Sequence, residues 1–118
     1  MATQIVSYPT DRDVTVAVAT LKMLADETRL RVIWALVHGE HSVNELADHV
    51  GVGATAVSQH LAKLRLSQLV ETRREGNKIY YRVADDHVRR LVEQSLGHAD
   101  HVSATPVSRA REVRRARS

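Results

Sequence analysis

Residues 42–66 read SVNELADHVGVGATAVSQHLAKLRL, and this stretch decides the fold. Ser42 and Glu45 stand three apart, the spacing of a capping box. In that motif the serine hydroxyl and the glutamate carboxylate each accept from the other residue's backbone N–H. A short helix is expected from there, with Val43, Leu46, Ala47 and Val50 on one face. Gly51-Val52-Gly53 reads as a tight turn. A second helix is expected from about Ala54 to Leu66, with Ala54, Val57, Leu61 and Leu64 facing inward. Two helices joined by a three-residue turn containing glycine form a helix-turn-helix.

Toward the C-terminus come two β-branched and aromatic runs, Leu69–Arg74 and Lys78–Val83. Glu75-Gly76-Asn77 between them reads as a hairpin turn. A helix-turn-helix followed at once by a basic hairpin is a winged helix. A last helix is expected from about Asp86 to Ala99 or a little beyond. Toward the N-terminus, the Val/Ala/Leu-rich stretch from about Asp13 to Ala25 predicts a helix. Asp26 is placed to cap the next one, whose Leu30, Ile33, Trp34 and Val37 follow the i, i+3, i+4, i+7 pattern. Gly39 ends it. The fold class is therefore mainly α with a small β-hairpin, in the order α-α-α-α-β-β-α. The expected domain spans residues 13–102. Residues 1–12 form a flexible lead, and residues 103–118 a disordered basic tail without apolar periodicity.

Composition narrows the function classes. At 118 residues there is room for one small domain, and pairing with a second copy would enlarge its core. One Trp, three Tyr and no Phe leave Leu, Val, Ala and Ile to build that core. The absence of cysteine excludes disulfides, thiolate metal sites and thiol redox sensing. Apolar runs fall far short of the ~20 residues of a membrane span, and no signal-peptide pattern opens the chain. A soluble cytoplasmic protein with no membrane partner is the plain reading.

Charge is informative once divided. The tail after Ser108 holds five arginines against Glu112, so the high pI of about 9.7 comes from there. Residues 1–108 carry a net charge of −1. Within them, residues 63–82 hold Lys63, Arg65, Arg73, Arg74, Lys78 and Arg82 against only Glu71 and Glu75. A phosphate backbone is expected to land on that stretch. On the second helix of the pair, Thr55, Ser58, Gln59, Ala62 and Lys63 lie opposite Val57 and Leu61. Gln59 suits a bidentate pair with adenine, and Thr55 and Ser58 suit base edges or phosphates. Lys63, Arg73, Arg74 and Lys78 are the expected phosphate contacts. His60 borders the apolar stripe and is expected to pack or to touch phosphate. His49 is expected to be solvated, and so is the loop pair His38 and His41, which could in principle contribute to a metal site.

The last helix carries Asp85-Asp86-His87 and then His98-Ala99-Asp100-His101. At 100° per residue, His87 and His98 point the same way, and His101 shares their face. Eleven residues of helix span roughly 16 Å, whereas a zinc–nitrogen bond is about 2 Å. One helix cannot bring both ends to one ion, but two antiparallel copies can. Asp85 and His87 of one chain would then meet His98 and His101 of the other, giving two identical sites per dimer. A plain dimer seam fits the same pattern, since Leu91 and Ser95 share or border this face. A metal-dependent hydrolase fits poorly, because four protein ligands leave no open position for water.

With these residues in view, the chain resembles the ArsR/SmtB family of metal-responsive repressors over about residues 14–102. The resemblance rests on Leu24-Ala25-Asp26-Glu27-Thr28-Arg29-Leu30, on Val57-Ser58-Gln59-His60-Leu61-Ala62-Lys63-Leu64 and on the Asp-x-His…His-x-x-His spacing. It implies a homodimer that occupies an inverted-repeat operator and lets go when metal binds. The implied ligands are Asp85, His87, His98 and His101, with Zn(II) first and Co(II) or Ni(II) as alternatives. It also implies a hydrogen bond from metal-bound His98 toward a main-chain carbonyl near Gln68. The family's Cys-x-Cys site has no counterpart in Glu45-Leu46-Ala47-Asp48-His49, and Ser67-Gln68 stands where Ala-Gly is common. A nickel/cobalt sensor with further ligands, and a winged-helix repressor without metal response, are the alternatives.

Overall fold

The computed structural model describes residues 7–103 and contains the seven elements in the expected order. They are α1 (Asp11–Leu24), α2 (Glu27–Val37), α3 (Val43–Val50), α4 (Ala54–Leu66), β1 (Val70–Glu75), β2 (Lys78–Val83) and α5 (Asp86–Ser103). This is a winged helix-turn-helix, as the sequence indicates. Residues 1–6 of the expected lead and residues 104–118 of the expected tail lie outside the described residues, while Asp11 and Arg12 of the lead and Ser103 of the tail belong to helices.

Local chemistry sets where each helix starts. Helix α1 begins two residues before the expected Asp13, because Thr10 and Asp13 form a capping box. The Asp13 N–H donates to Thr10 Oγ1 at 3.0 Å, and the Thr10 N–H donates to Asp13 Oδ2 at 3.2 Å. Asp26 caps α2 by accepting from the Arg29 N–H at 2.9 Å, and that bond holds its carboxyl below the usual range. The predicted Ser42/Glu45 box is formed at the head of α3, with the Ser42 N–H on Glu45 Oε1 at 2.8 Å.

Helix α2 lies at the centre, in contact with α1, α3, α4, α5 and β2. Its Val32, Ile33, Leu36 and Val37 are buried with Leu46 of α3 and Val57, Leu61 and Leu64 of α4. Leu69, Val70, Val88 and Val92 close the core from the wing and from α5. Two expected inward residues are not in it. Trp34 is 40% exposed, because packing on several sides turns Val32 and Leu36 inward instead. Ala54 is exposed because the first turn of α4 runs ahead of the core.

The joint between α4 and the wing is a Schellman motif. The Leu69 N–H donates to the Leu64 carbonyl at 2.9 Å, and the Gln68 N–H to that of Arg65 at 3.0 Å. Leu64 and Leu69 supply its apolar contact inside the core. The motif needs a left-handed residue between them, and here that residue is Gln68 at φ 61°. The wing pairs antiparallel from Val70↔Val83 to Glu75↔Lys78. Its two-residue turn has positive φ at Gly76 (61°) and not at Asn77, the pattern of a type II′ turn. His41 extends the wing by a bridge to Tyr81, with N···O distances of 3.2 and 2.8 Å.

Helix α5 is capped by Asp85, whose Oδ1 accepts from the Val88 N–H at 3.0 Å. Val88 and Val92 turn into the core, and Arg89 Nη1 donates to the Val37 carbonyl at 2.7 Å. The start of α5 is thereby tied to the end of α2.

A left-handed conformation costs a side chain of this kind roughly 1–2 kcal/mol, which glycine does not incur. Gln68→Gly is therefore expected to raise unfolding free energy by about 1 kcal/mol. Urea denaturation monitored by circular dichroism would check it.

Candidate nucleic-acid interface and metal centre

The outer face of α4 is built as expected. Thr55, Ser58, Gln59, Ala62 and Lys63 are all exposed, while Val57, Leu61 and Leu64 are buried beneath them. Thr55, Ser58, Gln59 and Ala62 line a shallow groove with Val43 and Ala54. Gly53 caps α4 without a side-chain hydrogen bond, so its first-turn N–H groups keep their donors for an outside acceptor. His60 is half-buried, with Nδ1 3.5 Å from Arg29 Nη1. Arg29 in turn donates from Nε to the Met23 carbonyl at 2.6 Å, so His60 belongs to the packing that joins α1, α2 and α4.

The wing splits the basic residues that were grouped in sequence. Strand alternation puts Arg73 on one face and Arg74 on the other. Arg73 donates from Nε to Glu40 at 2.8 Å and from Nη1 to Glu75 at 3.0 Å, and its guanidinium lies 4.9 Å from the centre of the Tyr80 ring. Glu75 first, then Glu40, hold Arg73 more firmly charged than a free arginine. Arg82 is engaged in the same way, with Glu71 at 2.8 Å and Glu40 at 3.7 Å. Arg74, Lys78 and Lys63 make no ion pair among the described residues. Their positive charge is free for a phosphate, and that of Arg73 is largely neutralised.

The donors on α5 form two exposed clusters. At its start, His87 Nδ1 lies 3.8 Å from Asp85 Oδ1, with the His87 side chain 91% exposed. At its far end, His98 and His101 are exposed one turn apart. Among the described residues, no three His, Asp or Glu side chains of one chain converge on a point that would hold a metal. The chemistry of the donors nonetheless fits a borderline divalent cation: three imidazoles and a carboxylate, with Asp85 Oδ2 unused by the cap. Each cluster supplies two donors, half of a tetrahedral set. No hydrogen bond joins His98 to Gln68 among the described residues.

Sequence reasoning missed one grouping. His41, grouped by sequence with His38, instead faces His49, with Nε2 atoms 3.1 Å apart. Periodicity gives no signal for it, because His41 lies in the loop before α3 and His49 near that helix's end. His38 is likewise held, with Nδ1 donating to the Trp34 carbonyl at 2.9 Å.

No helix among the described residues is long and apolar enough to cross a membrane. The profile of the arsR family of bacterial regulatory proteins matches residues 26–72, which run from the cap of α2 into β1. The transcriptional regulator KmtR of Mycobacterium tuberculosis is 52% identical over 91 residues, covering 77% of this chain and 70% of that protein. The homodimeric winged helix-turn-helix DNA-binding domain Mb0332 of Mycobacterium bovis superposes with a TM-score of 0.74 at 32% identity, over 86% of this chain and 97% of that one. The antimony-specific transcriptional repressor AntR gives a TM-score of 0.74 at 34% identity, over 81% and 87%. With the helix-turn-helix and wing in the arrangement described, the chain belongs to the arsR family of bacterial regulatory proteins.

Proposed function

We propose that the chain is a homodimeric transcriptional repressor that binds an inverted-repeat operator and is released by a divalent metal, Zn(II) or Co(II), held between its two α5 helices. The observation that carries this reading is the pair of exposed donor clusters at opposite ends of one α5 face. Antiparallel pairing of that face sets Asp85 and His87 of one copy beside His98 and His101 of the second. The ion, when bound, cross-links the two helices. The helices are tied to the reading heads through Arg89 and Val37, so a change in their mutual angle changes the spacing of the two α4 helices. Operator half-sites demand one spacing.

The pairing has an apolar component. Val14, Val18 and Leu21 share a face of α1 and are 46%, 42% and 54% exposed, and Val102 on α5 is 48% exposed. A second copy covers such a stripe. On the DNA side, Gln59, Thr55 and Ser58 read base edges, while Lys63, Arg74 and Lys78 contact phosphate. Arg73 has a lesser role because Glu40 and Glu75 already occupy it.

Leu21→Glu is expected to convert the dimer to a monomer in sedimentation and to abolish operator binding. Arg74→Ala weakens binding to every sequence and lowers the salt slope by about 1, whereas Arg73→Ala changes the slope by less. In fluorescence anisotropy, Zn(II) or Co(II) weakens operator binding by at least ~5-fold, the lower end of typical couplings. His98→Ala keeps the apo affinity and loses that response. Operator binding that no metal changes would remove the metal switch and leave the histidines in a dimer seam.

A further inference from the structure

We propose a second metal site in each chain, formed by His41 and His49, that takes a borderline divalent cation and prefers Cu(II). It shares no residue with the α5 donors and does not depend on the reading given for them.

The site is preorganised from three sides. His41 Nδ1 lies 2.8 Å from the Gly39 carbonyl oxygen. A carbonyl only accepts, so Nδ1 carries the proton and the Nε2 lone pair is free. An imidazole N–H held by a backbone carbonyl is the usual outer contact of a metal-bound histidine, fixing both tautomer and ring orientation. The backbone of His41 is also pinned, by two hydrogen bonds to Tyr81 of β2. His49 approaches from the other side, with ring centres 4.8 Å apart. It is the penultimate residue of α3, where the helix dipole favours a positive charge.

The spacing suits ligation. Two nitrogens at about 2.0–2.1 Å from one ion stand roughly 2.9 Å apart at a right angle and roughly 3.4 Å apart at a tetrahedral angle. The observed Nε2···Nε2 distance of 3.1 Å falls between them. In the hydrogen bond His49 Nε2–H donates to His41 Nε2; a shift of His49 to its Nδ1–H tautomer turns both Nε2 lone pairs to a cation with no net loss of a proton. Among the described residues no third carboxylate or imidazole closes on the pair, so the remaining positions are open to water. They face a cavity of about 690 Å³ that His38 also lines. Two imidazoles and open positions bind first-row divalent ions in the order that peaks at Cu(II).

The test uses the full chain with His98→Ala and His101→Ala, which removes half of each α5 donor set. Titration against a competing chelator is expected to leave one Cu(II) site per chain, bound more tightly than Zn(II). Electron paramagnetic resonance should show coupling to two nitrogens. Loss of a mere hydrogen-bond partner of a ligand costs roughly 10–100-fold in affinity. Adding His49→Gln should therefore weaken Cu(II) by at least that much, with an unchanged circular dichroism melt because His49 is exposed. Cu(II) affinity unaltered by His49→Gln would overturn the proposal. So would imidazole NMR signals of His41 and His49 that Zn(II) leaves in place. In the chain with intact α5 and His49→Gln, the metal response of operator binding reports on α5 alone, so failure of either site is read separately.

Discussion

The fold is organised around one helix that is packed from several directions and held at both ends. Helix α2 buries Val32, Ile33, Leu36 and Val37, and none of the other helices makes comparable use of so short a segment. Asp26 closes its first turn, and Arg29 reaches from there to the Met23 carbonyl. At the other end, Arg89 satisfies the Val37 carbonyl, one of the groups a helix terminus leaves without an internal partner. A hydrogen bond from a charged donor is roughly twice as strong as a neutral one. The helix that carries the candidate metal ligands is therefore fastened to the central helix at the point where α2 gives way to the loop preceding α3. Arg89 thus links the start of α5 to the helix on which α3 and α4 of the helix-turn-helix pack.

Much of this was legible because it is local. The Ser42/Glu45 capping box, the Gly-containing turn and the Gly76-Asn77 hairpin each depend on residues within a few positions of one another, and each is formed. The Thr10/Asp13 box is equally local, and it starts α1 earlier than the apolar pattern alone indicates. What could not be read depends on contacts between distant residues. Nothing around Arg73 indicates that Glu40, 33 positions away, will occupy it. Strand alternation does separate Arg73 from Arg74, but only once the register is known. Trp34 fits the apolar period of α2 and still lies at the surface, edge-on to His38, because the direction of packing is a tertiary matter.

The candidate site was legible in its donors and not in its assembly. Spacing puts His87, His98 and His101 on one face, and the structure keeps that face away from the core formed by Val88 and Val92. Asp85 caps α5 through Oδ1 and leaves Oδ2 outside that cap. The sequence also hid the cost at Gln68, where the end of α4 requires a left-handed residue and the chain supplies one with a side chain.

Glu40 has a consequence for how fast the molecule finds its target. This loop carboxylate joins Glu71 and Glu75 around Arg73 and Arg82, so two guanidiniums sit among three carboxylates. Lys78, opposite Glu75, adds a third cation to the same face, so seen from a distance that face is close to neutral. Long-range attraction accelerates encounter only in proportion to the charge that is not already cancelled. The uncompensated positive charge of the described domain then lies with Lys63 and Arg74, away from that face, so a long-range pull on an anion comes from fewer cations than the count of basic residues implies.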